Sequence, residues 1–154
     1  MGKNQKLNRP SLAANREFRV LRITLALGSL YDAVFGIWIL ASPSSLAALL
    51  GLNLPAEEIY LRLVGLFLLI LQLVYLTAVF QPARYLANVG IAIGGRTLGA
   101  VFFLAYVIGF GGEPIFALLG GMDLLFAILH SMALGRSGWS GMASCLRPEV
   151  ISLP

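Results

Sequence analysis

Apolar residues dominate four long stretches of the chain, and short polar segments separate these stretches. The four stretches comprise residues 23–41, 59–80, 86–110 and 115–134. Each has about the length of the 20 helical residues that cross the hydrocarbon core of a bilayer. A helix satisfies its backbone polar groups internally, as the bilayer demands. The pattern therefore predicts an all-α fold, a membrane-spanning four-helix bundle.

Prolines and glycines indicate where the helices begin and end. A proline is tolerated at the first position of a helix, because the N–H that it lacks would be unpaired there. Pro55, Pro82 and Pro114 are therefore expected to open the second, third and fourth spans, and Gly135 is expected to close the fourth. Between the first two spans, residues 43–51 predict a short helix that lies at the membrane interface.

Composition places the chain in the membrane class. Hydrophobic residues make up 58% of it and charged residues 12%, and its mean hydropathy is +0.86, whereas soluble domains carry about 25% charged residues. Residues 23–134 are predicted to form one transmembrane domain, residues 1–22 a basic segment that is partly an amphipathic helix, and residues 135–154 a tail. The tail holds Cys145, the single cysteine, so no internal disulfide can form.

The distribution of basic residues predicts the orientation of the chain. All of the 11 Lys and Arg residues except Arg62 and Arg96 lie in the N-terminal segment, the second connection or the tail. The other two connections carry glutamates and no basic residue. Because short cytoplasmic segments are enriched in Lys and Arg, both termini are predicted to be cytoplasmic, in a multi-pass protein of a bacterial inner membrane. Sparse basic residues beside a span do not favour a nucleic-acid partner.

Polar side chains within the spans form the candidate site. At about 1.5 Å of helical rise per residue, Asp32, Arg96 and Asp123 lie about 13 to 15 Å deep, near the midplane. Each shares a helix face with small residues, which in lipid indicates close packing against another helix. We therefore expect Arg96 to bridge the two aspartates inside the bundle. The full candidate cluster is Asp32, Arg62, Gln72, Asn88, Arg96, Asp123 and His130.

The charges of this cluster do not balance at the midplane. Two aspartates and one arginine leave one negative charge, and a charge in the hydrocarbon core costs about 3 kcal/mol or more. Either Arg62 reaches inward and completes a structural clasp, or one aspartate retains its proton and could take part in proton or quinol chemistry. The clasp is the preferred interpretation.

The third span also carries glycine pairs at the spacing typical of closely packed transmembrane helices. These pairs are Gly90 with Gly94 and Gly95 with Gly99. The spacing predicts that this helix approaches another helix closely along the same face.

His130 allows more than one interpretation. A lone histidine on an inner helix face can bind haem or hydrogen-bond a quinone or lipid headgroup, but more often it is a structural interior residue. Haem held between two histidines is disfavoured, because the chain contains one. Acid–base chemistry with Asp123 is disfavoured too, since the two residues lie about 10 Å apart along the helix. No catalytic residue, metal or cofactor is predicted, a quinone or lipid stays a candidate ligand, and enzymatic activity is not favoured.

Three local patterns resemble the DoxX-like group of small bacterial four-span membrane proteins. They are the Arg62-x-x-Gly65 start of the second span, the connection QPARYLA, and Gly-Gly-Met-Asp-x-x-Phe in the fourth span. The resemblance covers residues 21–134. Because some members of that group are described as small subunits linked to quinone-dependent oxidoreductases, it implies an accessory role beside such an enzyme.

These features predict a noncatalytic accessory or scaffold subunit of a larger membrane complex, of a redox or energy-converting kind. Its partners would be membrane lipid and other membrane subunits, homomeric or heteromeric. The alternative is a protein that binds or transports a small molecule, lipid or quinone in a polar intramembrane cavity. The two hypotheses differ in what accompanies the protein through a mild detergent: another polypeptide, or a small molecule.

Overall fold

The computed structural model describes residues 18–137. Within these residues lie five helices and no strand: α1, Arg19–Ala41; α2, Pro43–Leu50; α3, Glu58–Phe80; α4, Leu86–Phe110; and α5, Pro114–Arg136. The four long helices are each long and apolar enough to cross a membrane. The all-α class and the four apolar spans are therefore confirmed. The predictions for residues 1–17 and for the tail beyond residue 137, which includes Cys145, lie outside the described residues.

A short helix is present between the first two spans, where the sequence predicts it. Pro43 occupies its first position, and Gly51 ends it in the left-handed conformation with φ 68°. Trp38 Nε1 of α1 donates a hydrogen bond to Ser45 Oγ of α2 at 2.7 Å, and Pro43 and Leu46 are buried. α2 therefore packs on the bundle, and its location at a membrane surface stays a prediction.

The proline rule is correct for α5 and wrong for α3 and α4. Pro114 occupies the first position of α5. Pro55, in contrast, precedes the start of α3 at Glu58, and Pro82 lies in a turn before α4 begins at Leu86. The fixed φ of proline suits extended and turn backbone as well as the first helical turn. The position of a proline therefore does not by itself define where a helix begins.

The fourth span continues past Gly135, which was expected to close it. α5 ends at Arg136, and both the N–H and the hydroxyl of Ser137 donate to the carbonyl oxygen of Leu134, at 3.1 and 2.6 Å. A hydroxyl can satisfy a terminal helical carbonyl, so the helix ends here without a glycine.

The long helices pack as two pairs. α1 packs mainly against α3 and α4 mainly against α5, while contact between the pairs is much sparser. In the first pair the backbones meet at two glycines, because a Cβ on Gly65 would lie 2.9 Å from the carbonyl oxygen of Gly36. In the second pair, a Cβ on Gly120 would lie 3.0 Å from Phe103 Cβ. Glycines therefore set the close approach within each pair.

The glycine pairs of the third span have a different role from the predicted one. Within the described residues, a Cβ on Gly94 would meet no neighbouring atom within 4 Å. A Cβ on Gly95 would lie 3.0 Å from the Tyr75 hydroxyl, and one on Gly99 would lie 2.6 Å from Asp123 Oδ2. Neighbouring helices therefore approach α4 closely at Gly95 and Gly99, but with their side chains and not with their backbones. Gly95 and Gly99 instead leave room for polar side chains of the neighbouring helices.

The two ends of the bundle are filled differently. At the end where α1 begins and α5 ends, which we call the termini end, a hydrophobic core joins all four long helices. Its buried members are Phe18, Leu21, Leu25, Tyr75, Ala78, Val89, Ala92, Ile93, Ala133 and Leu134. The opposite end carries α2, and we call it the short-helix end. It contains a cavity, and a layer of polar side chains separates this cavity from the core.

Candidate functional site

The polar layer is built from one helix face of each long helix. Asp32 and Ser29 lie on α1, Gln72 on α3, Arg96 on α4 and Asp123 on α5. The helical period of 3.6 residues places Ser29 and Asp32 on the same face of α1, one turn apart. Arg96, Asp32, Gln72 and Ser29 are buried. The layer therefore lies inside the bundle, as the small residues on these faces indicate.

Arg96 lies between the two aspartates, as expected. Its Nη1 donates to Asp123 Oδ1 at 2.6 Å, and its Nη2 donates both to Asp32 Oδ2 and to the carbonyl oxygen of Gly28, each at 2.7 Å. Its side chain is only 5% exposed. Such hydrogen-bonded pairs compensate for taking the charges out of water, which an unpaired charge cannot do.

A side-chain amide extends this network to α3. Gln72 Nε2 donates to Asp32 Oδ2 at 3.1 Å and to the carbonyl oxygen of Leu68 at 3.2 Å, and its Oε1 accepts a hydrogen bond from Ser29 Oγ at 2.5 Å. Because the amide nitrogen faces two acceptors and the amide oxygen faces the Ser29 hydroxyl, these partners fix the orientation of the amide. The network therefore connects all four long helices.

Two aromatic rings that are not among the predicted site residues flank the guanidinium. Arg96 Cζ lies 4.9 Å from the ring centroid of Phe126 and 5.6 Å from that of Tyr31, within the range of cation–π attraction. A signal was present: Tyr31 precedes Asp32, and Phe126 follows Asp123 by three residues, hence on the same helix face.

Arg62 does not join the layer, which corrects the preferred clasp interpretation. Its Nη1 donates to the carbonyl oxygen of Leu40, and its Nη2 pairs with Glu58 at 3.1 Å. The last carbonyls of a helix lack intrahelical partners and attract cations, so the end of α1 holds this side chain locally. Arg62 therefore does not compensate the second aspartate, and the alternative, in which one aspartate retains its proton, stays a prediction.

Asn88 and His130 also lie away from the cavity. Asn88 Nδ2 donates to Thr77 Oγ1 at 2.6 Å and to the carbonyl oxygen of Val74 at 3.3 Å, and so joins α4 to α3 at the termini end. His130 is 2% exposed, with its ring centroid 5.9 Å from that of Phe126. Its Nδ1 has no hydrogen-bond partner within residues 18–137. Neither residue lines the cavity, so a structural role fits both.

The cavity at the short-helix end has a volume of about 530 Å³. Asp32, Arg96 and Asp123 form its floor, a term that we use for these three residues. Its walls come from the later parts of α1 and α4, from α3 and from the first turns of α5, and α2 with the segment after it covers one side. The aromatic wall residues are Tyr31, Phe35, Tyr75, Phe103 and Phe116. An apolar cavity with a few convergent polar groups is the usual form of a small-molecule site.

The cavity ends at its floor. Beyond the floor lie the Gln72 and Ser29 side chains, and then the core of the termini end, in which Leu21, Leu25 and Val89 are almost fully buried. Within the part of the chain that the structure describes, the arrangement is a pocket closed on one side, and not a pore through the bundle.

The described residues do not form a metal site. Among the described residues, no group of three or more His, Cys, Asp or Glu side chains could hold a metal ion. Comparisons of the chain with protein families, with curated proteins and with solved structures found no match. The resemblance to the DoxX-like group therefore stays a prediction.

Proposed function

We propose that this protein binds a small lipophilic molecule within the membrane, in the cavity between the polar floor and α2. One observation carries the proposal: a cavity of about 530 Å³ with mostly apolar walls ends at a buried ion-pair network. Ligand sites of about 300–1,000 Å³ hold drug-sized molecules, with apolar walls for affinity and a few polar groups for orientation. A lipid or a quinone belongs to this size and polarity class.

The orientation of the chain belongs to the same proposal. With both termini in the cytoplasm of a bacterial inner membrane, the short-helix end and its cavity face the opposite side of the membrane. A ligand would then enter from the bilayer or from the outer aqueous phase. The basic flanking segments support this orientation, because the connections at the short-helix end carry glutamates and no lysine or arginine.

A role as a noncatalytic accessory or scaffold subunit is the second candidate function. Within residues 18–137, no neighbouring helix has an atom within 4 Å of where a Cβ on Gly94 of α4 or on Gly121 of α5 would lie. Small residues on an outer face permit close approach of another transmembrane helix. The many exposed Leu, Ile, Val and Phe side chains suit lipid and protein partners equally, so they favour neither function.

A cavity-filling substitution tests the binding function. Leu119 lines the cavity, whereas its neighbour Leu118 is 61% exposed and does not. The parent, Leu119→Trp and Leu118→Trp are purified in the same mild detergent, and small molecules extracted from each are identified by mass spectrometry. We expect a lipophilic compound that accompanies the parent and Leu118→Trp and is lost from Leu119→Trp. A compound retained equally by all three proteins would lie outside the cavity, and co-purification of a second polypeptide alone would favour the scaffold role.

A further inference from the structure

The floor of the cavity contains two carboxyl groups and one guanidinium, and this composition indicates what the cavity binds. We infer that the occupant is a lipophilic amine whose cationic nitrogen binds Asp123 while its apolar part fills the cavity towards α2. The inference rests on the proposed function and specifies its ligand. Four features of the described residues support it: the access to Asp123, the surrounding charges, the aromatic walls and the shape of the apolar region.

Asp123 is the floor carboxylate that an occupant reaches most readily. Its side chain is 18% exposed, against 11% for Asp32 and 5% for Arg96. Arg96 binds Asp123 through Oδ1, whereas Oδ2 lies beside Gly99, which also lines the cavity. Asp32, in contrast, already accepts hydrogen bonds from two donors, Arg96 and Gln72. A donor that enters from the short-helix end therefore meets Asp123 first.

Among the residues that the structure describes, no other charged side chain lines the cavity to balance the two floor carboxyl groups. Apart from the floor, the described residues that line the cavity include no Asp, Glu, Lys, Arg or His. Arg62, the arginine of α3, is held by Glu58 and by the carbonyl oxygen of Leu40. In surroundings of low dielectric, an uncompensated charge attracts its opposite strongly. A monovalent cation bound to Asp123 would bring the floor to neutrality.

Aromatic rings on two sides of the cavity also suit an ammonium group. The ring centroids of Tyr31 and Phe35 on α1 lie 4.9 Å apart, and those of Phe103 on α4 and Phe116 on α5 lie 5.8 Å apart in a stacked arrangement. All four rings line the cavity. The face of an aromatic ring attracts a cation, and proteins recognise alkylammonium ligands with several such rings. A neutral headgroup gains less from the same walls.

The remaining walls specify an apolar tail. Leu46 and Leu50 of α2 and Leu61 and Leu68 of α3 line the part of the cavity on the side of the short helix. The polar groups that could orient a ligand are concentrated at the floor, with Asn53 as an exception on the loop after α2. A molecule with one cationic end and one apolar end therefore matches the cavity along its length.

A matched pair of probes tests the charge requirement. n-Decylamine and n-decanol share a tail and differ in the headgroup, and their binding is measured from the rise in melting temperature of the full chain in a nonionic detergent. Because a hydrogen bond to a charged group contributes about 1.5–3 kcal/mol, we expect the parent to bind the amine at least about tenfold more tightly than the alcohol. Asp123→Asn should lose this preference. Glu113→Gln, which removes an exposed carboxylate just before α5, should retain it.

Each outcome distinguishes the inference from the function on which it rests. If amine and alcohol bind the parent equally, the floor is neutral, the amine is the wrong ligand class, and the binding function stands. An amine preference that persists in Asp123→Asn would place the cation elsewhere and overturn the inference. If neither probe binds, or both bind Leu119→Trp as well as the parent, the cavity is not the binding site and both proposals fail. The comparison of the two probes on the parent requires no variant to fold.

Discussion

Arg96 joins the two helix pairs, which otherwise make little contact with each other. Arg96 lies on α4 and binds Asp123 of α5, within its own pair. It also binds Asp32 and the carbonyl oxygen of Gly28 on α1, in the other pair. Gln72 then carries the network to α3. A buried ion pair adds little net stability compared with apolar packing, but removing one partner leaves an uncompensated buried charge. Removal of the Arg96 side chain alone is therefore expected to lower the stability more than its removal together with both aspartates.

Substitution of Arg96 by leucine should destabilise the protein strongly. Two carboxylates would then face each other without a cation, and breaking a buried pair from one side costs about 3–5 kcal/mol. Asp32→Asn alone should be milder, because it leaves one aspartate for one arginine. The double variant Asp32→Asn/Asp123→Asn should be worse than Asp32→Asn, since it leaves Arg96 without a counter-ion, and adding Arg96→Leu should recover part of the loss. Thermal unfolding in mild detergent measures the stability of all four variants. If Arg96→Leu melts at the temperature of the parent at neutral pH, Arg96 does not stabilise the bundle through the two aspartates.

Residue type and spacing were sufficient to predict the bridge, but they were not sufficient for Arg62. The bridge follows from depth and helix face, which the sequence contains for Asp32, Arg96 and Asp123. The partner of Arg62 depends on where α1 ends relative to α3, because the free acceptor is the carbonyl of Leu40. That relation is a property of the packed pair, and no pattern within either helix reports it.

At the scale of the elements, glycine contacts decide how closely the helices of a pair approach. The α1–α3 crossing depends on Gly36 and Gly65, since the atom that a Cβ on Gly65 would meet is a backbone oxygen and cannot move aside. At Gly99 the nearest atom belongs to the side chain of Asp123. Glycine therefore permits a close helix crossing at Gly65 and leaves room for a charged side chain at Gly99.

Gly65→Ala should separate α1 from α3 and lower the stability of the bundle. Inserting a methyl group into a tightly packed contact typically costs about 1–3 kcal/mol. Gly121→Ala is the matched control, because a Cβ at that position of α5 meets no neighbouring atom of the described residues within 4 Å. It should melt at or above the temperature of the parent, since alanine favours a helix over glycine by about 1 kcal/mol. Equal melting of the two variants in detergent would show that the crossing is looser than the structure indicates.

The elements themselves were largely predictable, and the space between them was not. Long apolar stretches define the spans, because crossing hydrocarbon sets both length and composition. The ends at Pro55, Pro82 and Gly135 were wrong because local turns and the Ser137 cap compete with the proline and glycine rules. The cavity depends on how fully the two helix pairs and α2 fill the volume between them. The spacing of polar and apolar residues along one helix does not predict that volume.

At the scale of the whole molecule, the two ends of the bundle formed by residues 18–137 are filled differently. The core of the termini end joins all four long helices, while the short-helix end contains the cavity. Such an asymmetric bundle suits a binding site reached from one side of the membrane. A transporter would have to open the core as well, which would separate the pairs at residues such as Leu21 and Leu134.

Thiol labelling tests this asymmetry in intact cells. In a Cys145→Ser background, single cysteines replace Phe103, which lines the cavity, Phe102, which is its exposed neighbour on α4, and Ala133, which is buried in the core of the termini end. A small, membrane-impermeant thiol reagent is added from outside. With both termini cytoplasmic, the cavity lies on the side of the reagent, so we expect Phe103→Cys to react and Ala133→Cys to stay unlabelled behind the floor. Phe102→Cys should also stay unlabelled, because at the same depth it faces lipid, where a thiol is not ionised to the reactive thiolate.

Two outcomes would contradict this expectation. Labelling of Ala133→Cys at the rate of Phe103→Cys would mean that the bundle opens at both ends and would favour transport. Labelling of Phe103→Cys from the cytoplasmic side alone, in inverted vesicles, would reverse the predicted orientation.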